Sequence, residues 1–237
     1  MPAINIPTAK SPQATLLIDA SIYIFQYYFS LPDHWFSQRQ SWPTAAVYGY
    51  TTFLLRLLKQ HQPQRIAACF DESLDHCFRN RIYPDYKSSR ALPDEALAFQ
   101  LKACRQVTEL LGITCFASKR YEADDLLGSL YQYCRRSKAP IAILTRDKDL
   151  GQLLCRPQDY LWDYAQDQCL FMADVQQKMG VSCSQIIDFL ALVGDSIDDI
   201  PGVPSVGKKT AQQLLGHFDS VNNICLLYTS PSPRDRG

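Results

Sequence analysis

Short apolar runs alternate with amphipathic stretches along roughly the first two thirds of the chain. The runs predict five short strands: Thr15–Asp19, Arg65–Asp71, Ile113–Phe116, Ile141–Thr145 and Tyr160–Trp162. Between them, apolar residues recur at the spacing of a one-sided helix around Ala46–Leu58 and Leu97–Leu111. This alternation predicts an α/β fold, a mostly parallel central sheet with helices on both faces.

From about Ser184 onward the pattern is entirely helical. Apolar positions predict helices at Ile186–Val193 and Thr210–His217, separated by a turn rich in Gly and Pro. We therefore expect an α/β domain over residues 15–180 and a helical subdomain over 181–224. Residues 1–14 are an N-terminal extension, and residues 225–237 lose the periodicity and resemble an unrelated tail.

Composition narrows the class of protein. With 237 residues, 46% apolar and 20% charged, the chain is long and apolar enough for a globular domain. The longest apolar run falls short of a membrane span and the N-terminus lacks a signal peptide, so we expect a soluble cytoplasmic protein. Nine scattered Cys without a C-x-x-C pair predict reduced core thiols. The zero net charge gives no sign of a nucleic-acid partner.

Three predicted strands end in acids. The first ends at Asp19, the second at Asp71, and the fourth leads into Asp147 and Asp149. Parallel strands open their carboxyl ends onto one crevice, so these carboxylates should meet there. A single Asp in this place often only caps the next helix, but three strands ending alike favour a site for hard divalent cations such as Mg²⁺.

Two further acidic segments could join this site. Glu122, Asp124 and Asp125 begin a predicted helix, where acids also favour the helix dipole. Asp195 and Asp198 share an i, i+3 spacing in GDSIDDIPG, which could equally be an ordinary turn.

Two segments carry basic residues suited to nucleic acid. The run GVPSVGKKT lacks the hydroxyl and preceding strand of a P-loop, and it predicts a helix–hairpin–helix that grips a phosphate backbone. Phe78–Arg90 places four cations, among them Arg79 and Arg81, around two tyrosines and a single acid. Cations with aromatic residues suit single-stranded nucleic acid, and the alternative is a solvated loop.

Together these motifs resemble the flap endonuclease family, most closely the 5′-nuclease domain of bacterial DNA polymerase I and its stand-alone relatives. The matching stretches lie in the family's order over about residues 15–224: LLIDA, FD followed by FR…YPDYKSSR, YEADD, LTRDKDLGQLL and GDSIDDIPGVPSVGKKTAQQLL. Two features depart from the family: the segment Phe78–Arg90 is short for a threading arch, and after Ile224 the chain turns into LLYTSPSPRDRG, which suggests a truncated C-terminus.

The resemblance implies roles for individual residues. One metal cluster would contain Asp19, Asp71, Glu122, Asp124 and the additional candidate Asp125, and a second would contain Asp147, Asp149, Asp195 and Asp198. Tyr86, Lys87 and Arg90 would be catalytic residues of a helical arch over the 5′ strand. The duplex would bind a hairpin that also holds K⁺, formed by Gly202, Val203, Ser205, Gly207, Lys208, Lys209 and Thr210.

These roles predict a structure-specific 5′-3′ exonuclease and flap endonuclease. Two Mg²⁺ ions about 4 Å apart, replaceable by Mn²⁺, would clamp the scissile phosphate of DNA or an RNA primer and yield 5′-phosphate and 3′-hydroxyl products. The expected partners are DNA with 5′ ends, flaps or nicks and a DNA polymerase, for a protein that acts as a monomer. The alternatives are a non-catalytic structure-specific DNA-binding protein and a metal-dependent ribonuclease.

Overall fold

The computed structural model of the chain describes residues 14–32, 36–37, 42–73 and 77–229. The predicted N-terminal extension, apart from Ala14, lies outside these residues, as does the predicted tail beyond Thr229. Residues 225–229 of that tail belong to a helix, so the helical structure extends further than the sequence pattern predicts.

Six strands form the central sheet: β1 (Thr15–Asp19), β2 (Arg65–Asp71), β3 (Thr114–Ser118), β4 (Ile141–Leu144), β5 (Tyr160–Asp163) and β6 (Gln168–Phe171). Their order is β3-β2-β1-β4-β5-β6. The first five are parallel, with Thr15 of β1 in register with Arg65 of β2 and Ile141 of β4. The edge strand β6 runs antiparallel to β5 and was not predicted. The predicted mostly parallel sheet is confirmed.

The helices are α1 (Ala20–Ser30), α2 (Ala45–His61), α3 (Phe78–Ile82), α4 (Glu95–Leu110), α5 (Ala123–Cys134), α6 (Met172–Met179), α7 (Ile186–Val193), α8 (Lys208–Phe218) and α9 (Val221–Thr229). Two short 3₁₀ helices span Asp149–Leu153 and Cys183–Gln185. A two-residue ladder pairs β7 (Gly194–Asp195) with β8 (Ile200–Pro201).

Apolar cores lie on both faces of the sheet because alternate strand residues point to opposite sides. In β1, Leu16 and Ile18 join one core with α1 and α2, whereas Leu17 joins the other with α5 and α7. Burial on both faces explains why the strands read as continuous apolar runs rather than alternating ones. Helices cover both faces of the sheet, so a site on the sheet itself lies at the strand ends.

The helical C-terminal part packs on the second core through Ala211 and Leu215 of α8. Gln185 ties α8 to the preceding segment, since its side-chain amide donates to the carbonyl oxygens of Leu215 (3.1 Å) and Asp219 (3.0 Å). Gly202 lies so close to the end of α7 that a Cβ atom there would be 2.2 Å from the Val193 carbonyl oxygen. The turn between the two helices therefore requires glycine at this place.

Two expectations from composition can be compared with the structure. No disulfide joins cysteines in the described part of the chain, but only four of the nine are buried, and Cys155 and Cys225 are exposed rather than in the core. Within the residues described, no helix is both long and apolar enough to cross a membrane.

Candidate active site

A cavity of about 580 Å³ opens where the parallel strands end. Eight of the nine carboxylates predicted to bind metal line it: Asp19, Asp71, Glu122, Asp124, Asp147, Asp149, Asp195 and Asp198. The ninth, Asp125, lies outside it. The topology explains the convergence because the carboxyl ends of β1, β2 and β4 face the N-terminus of α5 and the β7–β8 turn.

The strand-end acids are held in place by short local contacts. Asp19 is 5% exposed; its carboxylate caps α1 at the Ile22 amide (3.4 Å) and accepts from the Thr145 hydroxyl (3.0 Å). Asp71 accepts from the Ala123 amide at 2.6 Å. Each of these acids can therefore cap a helix and line the cavity at the same time, so a role as a helix cap does not exclude a role in the site.

Asp147 and Asp149 follow β4 and are positioned together. The Asp147 amide donates to the Thr145 hydroxyl (3.0 Å), and the Asp147 carboxylate accepts from the Asp149 amide (2.8 Å). The Thr145 hydroxyl thus links the ends of two strands, since it also donates to Asp19. These bonds fix the direction of the Asp147 carboxylate and the position of the Asp149 backbone.

Burial raises the pKa of these acids because ionised carboxylates lose their hydration, and repulsion among them adds to the effect. Burial and the charge of Asp147 raise the pKa of Asp124 to about 7. Burial and the same neighbour raise the pKa of Asp149 to about 6. Burial likewise raises the pKa of Asp19, Asp71 and Asp147. The cavity therefore holds more negative charge than the surrounding protein stabilises.

Cations from one neighbouring segment reach two of the acids. We call residues 83–90 the bridging segment. The Lys87 ammonium lies 2.6 Å from Glu122 Oε1, and the Arg90 guanidinium lies 2.6 Å from Asp198 Oδ1. The Tyr86 hydroxyl is close to both acids, at 2.7 Å from Glu122 Oε2 and 3.2 Å from Asp198 Oδ2. The structure thus brings all three predicted catalytic residues into the cavity.

The backbone of the bridging segment is also attached to the β7–β8 turn. The Lys87 amide donates to the Asp198 carbonyl oxygen (3.0 Å), and the Ser89 amide donates to Asp199 Oδ2 (2.8 Å). Lys87 (φ 55°) and Asp199 (φ 57°) both adopt the left-handed conformation that non-glycine residues rarely take. After the five-residue helix α3, Tyr86 and Lys87 lie in turns and Arg90 lies in a bend, so these three residues are not helical, unlike the expectation of a helical arch.

Asp125 has a different environment. Both of its carboxylate oxygens pair with Arg79, at 2.7 and 2.8 Å, and one also caps α5 at the Glu122 amide (3.0 Å). Burial lowers the pKa of the Arg79 guanidinium, but the hydrogen bond and charge of Asp125 outweigh it, so that pKa is raised. Arg79 is therefore engaged within the protein, whereas Arg81, the other predicted DNA contact of this segment, is exposed.

The donor set determines what the cavity could hold. In the described part of the chain, no three His, Cys, Asp or Glu side chains are already arranged to hold a metal ion. Lys87 and Arg90 occupy oxygens of Glu122 and Asp198 instead. The site still fits hard divalent cations, because its donors are carboxylate oxygens and burial leaves several of them without a compensating charge.

The predicted duplex contacts lie on one turn beside the cavity. Seven residues surround the start of α8: Gly202, Val203, Ser205, Gly207, Lys208, Lys209 and Thr210. The Val203 amide donates to the Leu192 carbonyl oxygen (2.9 Å), which fixes the turn to the end of α7. Lys208, Lys209 and Thr210 are exposed in the first turn of α8. Exposed lysines at a helix N-terminus suit a phosphate ligand.

Two family models and several curated relatives match this chain. The family model of the 5′-3′ exonuclease N-terminal resolvase-like domain matches residues 14–180, and that of the 5′-3′ exonuclease C-terminal SAM fold matches residues 181–232. A 5′-3′ exonuclease of Buchnera aphidicola is 34% identical over 92% of this chain and 74% of its own. The DNA polymerase I of Rhizobium leguminosarum is 32% identical over 91% of this chain but only 22% of its own.

Solved structures share the fold at lower identity. T5 D15 protein co-crystallised with metal ions has a TM-score of 0.72 and 20% identity over 93% of this chain and 80% of its own. The catalytic core of Rad2 in complex with DNA substrate has a TM-score of 0.61 and 15% identity over 94% of this chain and 70% of its own. At these low sequence identities, the likeness to the solved structures concerns the fold alone.

Proposed function

The chain belongs to the 5′-3′ exonuclease family and is a nuclease, and from this we propose that it hydrolyses DNA phosphodiester bonds at 5′ ends, flaps and nicks. The observation that carries the proposal is the gathering of eight carboxylates in one cavity beside Lys87 and Arg90. A non-catalytic DNA-binding protein has no use for so much uncompensated buried charge, which destabilises the fold unless cations bind.

Divalent metal ions, Mg²⁺ or Mn²⁺, would be held by the carboxylates of the cavity. Asp19, Asp71, Glu122 and Asp124 form one group of ligands, and Asp147, Asp149, Asp195 and Asp198 form the other. When bound, the ions supply an activated water and stabilise charge on the leaving oxygen, which gives 5′-phosphate and 3′-hydroxyl ends. Asp125 acts differently, since its pairing with Arg79 orients the first turn of α5.

The bridging segment supplies the positive charge that binds the substrate. Lys87 and Arg90 pair with Glu122 and Asp198, which would also be metal ligands, so with ions bound there both cations would be available to the scissile phosphate. Lys87 is anchored through its own backbone amide, which keeps the ammonium over the cavity after it leaves Glu122. Tyr86 sits against both acids and orients their oxygens through its hydroxyl.

The turn before α8 would hold the duplex without reading its sequence. Backbone amides and Lys208 and Lys209 suit phosphates, and a monovalent cation such as K⁺ would complete this contact. Selection then depends on DNA shape. We further propose that the protein works as a monomer in the cytoplasm together with a DNA polymerase, since relatives include DNA polymerase I chains.

A cleavage assay on labelled substrates tests this proposal. A 5′-flap DNA, a nicked duplex and an RNA strand of matched sequence are incubated with the protein in Mg²⁺, in Mn²⁺ and in EDTA. We expect metal-dependent cleavage at the flap junction that leaves a 5′-phosphate. Binding of flapped DNA without cleavage in any metal would instead identify a DNA-binding protein, and cleavage of RNA alone would identify a ribonuclease.

A further inference from the structure

A second cavity, of about 700 Å³, adjoins the carboxylate cavity. Arg79, Asp124 and Gln152 line both, so the two spaces meet across these residues. Its volume lies within the range of small-ligand sites. The proposed catalytic chemistry leaves this space without a role, although it opens directly from the site.

The entrance of the second cavity is aromatic and cationic. The rings of Phe78 and Tyr121 lie 5.6 Å apart at an angle of 54°, and Tyr121 is 41% exposed. The Arg79 guanidinium lies 4.7 Å from the Phe78 ring centroid, and that of Arg120 lies 5.4 Å from the Tyr121 centroid. Exposed aromatic rings flanked by arginines are the features on which unpaired nucleobases stack.

The deeper lining suits the edge of a base. Ser129 and Gln132 of α5 are exposed at the cavity and Gln152 is half-buried. The Ser129 hydroxyl donates to the Asp125 carbonyl oxygen (2.8 Å) and the Gln152 amide donates to the Asp149 carbonyl oxygen (2.9 Å), so their side-chain oxygens serve as acceptors, and the Gln132 amide offers both donors and an acceptor. The nearby Asp125 would repel a nucleic acid if it were free, but Arg79 pairs with both of its oxygens. The cavity therefore accepts a base on its face and at its edge without a local excess of negative charge beyond Asp124.

The position of the cavity indicates which nucleotides reach it. Ile197 and Ile200 of the β7–β8 turn line the carboxylate cavity, whereas Phe78 and Tyr121 line only the second cavity. A duplex held at the turn before α8 would thus adjoin the carboxylate cavity at the β7–β8 turn, whereas the aromatic pair belongs to the space that adjoins it at Arg79 and Gln152. A strand that continues past the carboxylates toward that pair would be the unpaired 5′ strand.

We propose that the Phe78–Tyr121 cavity binds an unpaired nucleobase of the 5′ strand, on the flap side of the scissile phosphate. This inference rests on the proposed function and adds a binding subsite to it. Stacking on Tyr121 would favour flapped over flap-free substrates and would be tolerant of base identity, because every base has an aromatic face.

Fluorescence of 2-aminopurine tests the subsite without cleavage. The base is placed in turn at each of the first four flap nucleotides next to the junction, and binding is measured in EDTA. We expect quenching at one position in the wild-type protein and in Tyr121→Phe, and its disappearance in Tyr121→Leu. The preference of Tyr121→Leu for flapped over nicked DNA should fall by about 5- to 150-fold, the range measured for removing one stacked base.

Tyr133 provides a matched control. It is 69% exposed, lies on α5, and has the Arg136 guanidinium 5.7 Å from its ring, but it does not line the cavity. Tyr133→Leu should keep both the quenching and the flap preference. Binding of nicked duplex and the melting temperature report whether each variant is folded, and Phe78→Leu tests the same cavity if Tyr121→Leu is unstable.

The failures of the two proposals are distinguishable. Wild-type protein that binds neither flapped nor nicked DNA would overturn the proposed function and this subsite with it. Wild-type protein that binds and cleaves flapped DNA, while Tyr121→Leu and Phe78→Leu retain wild-type quenching and flap preference, would overturn the subsite alone. An equal reduction in Tyr133→Leu would also overturn it, because the effect would then belong to any exposed ring.

Discussion

Two sets of acids share one cavity but differ in what balances their charge. Asp19 is buried, and Asp124 and Asp149 are half-buried, beside other carboxylates, and the loss of hydration raises the pKa of each. Glu122 and Asp198 lie within 2.6 Å of Lys87 and Arg90, respectively. Both sets lie at strand ends, helix starts and the turns next to them, but Lys87 and Arg90 of the bridging segment form ion pairs with the second.

The difference separates two functions: the rigid backbone positions one set of acids, and side-chain cations form exchangeable contacts with the other. Backbone elements hold the first set together despite repulsion, which the charge of Lys87 offsets only in part, and added cations or protons relieve the rest. The second set already has cations, but they are side chains that can move to another anion. The cavity is therefore suited to the proposed exchange, in which the carboxylates would bind metal ions and Lys87 and Arg90 would bind a phosphate.

Removing an acid of the first set should have the largest effect. Asp124→Asn should lower the single-turnover cleavage rate of flapped DNA in Mg²⁺ by about a thousandfold or more, since removing a metal ligand costs several kcal/mol of transition-state stabilisation. Affinity for the DNA should remain near the wild-type value. Glu95→Gln, an exposed acid at the start of α4, is the control. Cleavage near the wild-type rate would remove Asp124 from the site.

The same acid should make stability depend on pH when metal is absent. The pKa of Asp124 is about 7 in the folded protein and about 3.9 in an unfolded chain, so the folded state binds more protons between these values. Stability should therefore fall as pH rises from about 4 to 7, by at most about 4 kcal/mol from this residue. Urea unfolding in EDTA at pH 5 and pH 8 measures the difference.

Asp124→Asn sharpens that measurement. The variant should be more stable than the wild-type protein at pH 8 in EDTA and should show a smaller change between the two pH values, because the amide cannot ionise. Adding Mg²⁺ at pH 8 should raise the stability of the wild-type protein again. An identical pH dependence in both proteins would mean that other groups cause it.

Removing a cation of the second set should have a smaller effect. Lys87→Ala should lower the single-turnover rate on flapped DNA by about 10- to 150-fold, since one charge-assisted contact is worth about 1.5–3 kcal/mol. Binding of a flap-free duplex should hardly change. Lys102→Ala, an exposed cation of α4, serves as the control. If Lys87→Ala weakens both kinds of binding equally, the side chain is a general phosphate contact.

The sequence predicts the first set of acids far better than the second. The buried apolar runs predict the bounds of β1, β2 and β4 to within one residue. The Asp residues at or just after the carboxyl ends of these strands predict the shared crevice. The antiparallel strand β6 escapes prediction because QCLF is short and only partly buried at the sheet edge. Local patterns thus suffice where a strand is buried on both faces.

Pairings between distant segments are not visible in local patterns. Lys87 and Glu122 are 35 residues apart, and Arg90 and Asp198 are 108 apart. The available signal is charge complementarity between the cation-rich stretch Phe78–Arg90 and the acid-rich segments YEADD and GDSIDDIPG. That signal does not distinguish Asp125, which binds Arg79, from Asp124, which lines the cavity.

The turn before α8 carries the two exposed lysines that we expect to contact the duplex. Lys208→Ala combined with Lys209→Ala should weaken binding to every DNA sequence alike and lower the slope of log affinity against log salt by roughly one for each phosphate that the variant no longer neutralises. Lys138→Ala, an exposed lysine after α5, should leave the slope unchanged. An unaltered slope in the double variant would show that the duplex binds elsewhere.

The smallest expected effect concerns the link between the bridging segment and the β7–β8 turn. Asp199 accepts from the Ser89 amide at 2.8 Å, and this hydrogen bond lowers the pKa of its carboxyl. Because the contact is exposed, Asp199→Ala should leave global stability nearly unchanged but speed hydrogen exchange of the Ser89 amide by roughly a few-fold. Asp199→Asn, which keeps an acceptor oxygen, should exchange at an intermediate rate. In the wild-type protein, protonation of Asp199 at low pH should have the same direction of effect as Asp199→Ala. Unchanged exchange in Asp199→Ala would mean that the contacts of Tyr86, Lys87 and Arg90 suffice to hold the bridging segment over the carboxylates.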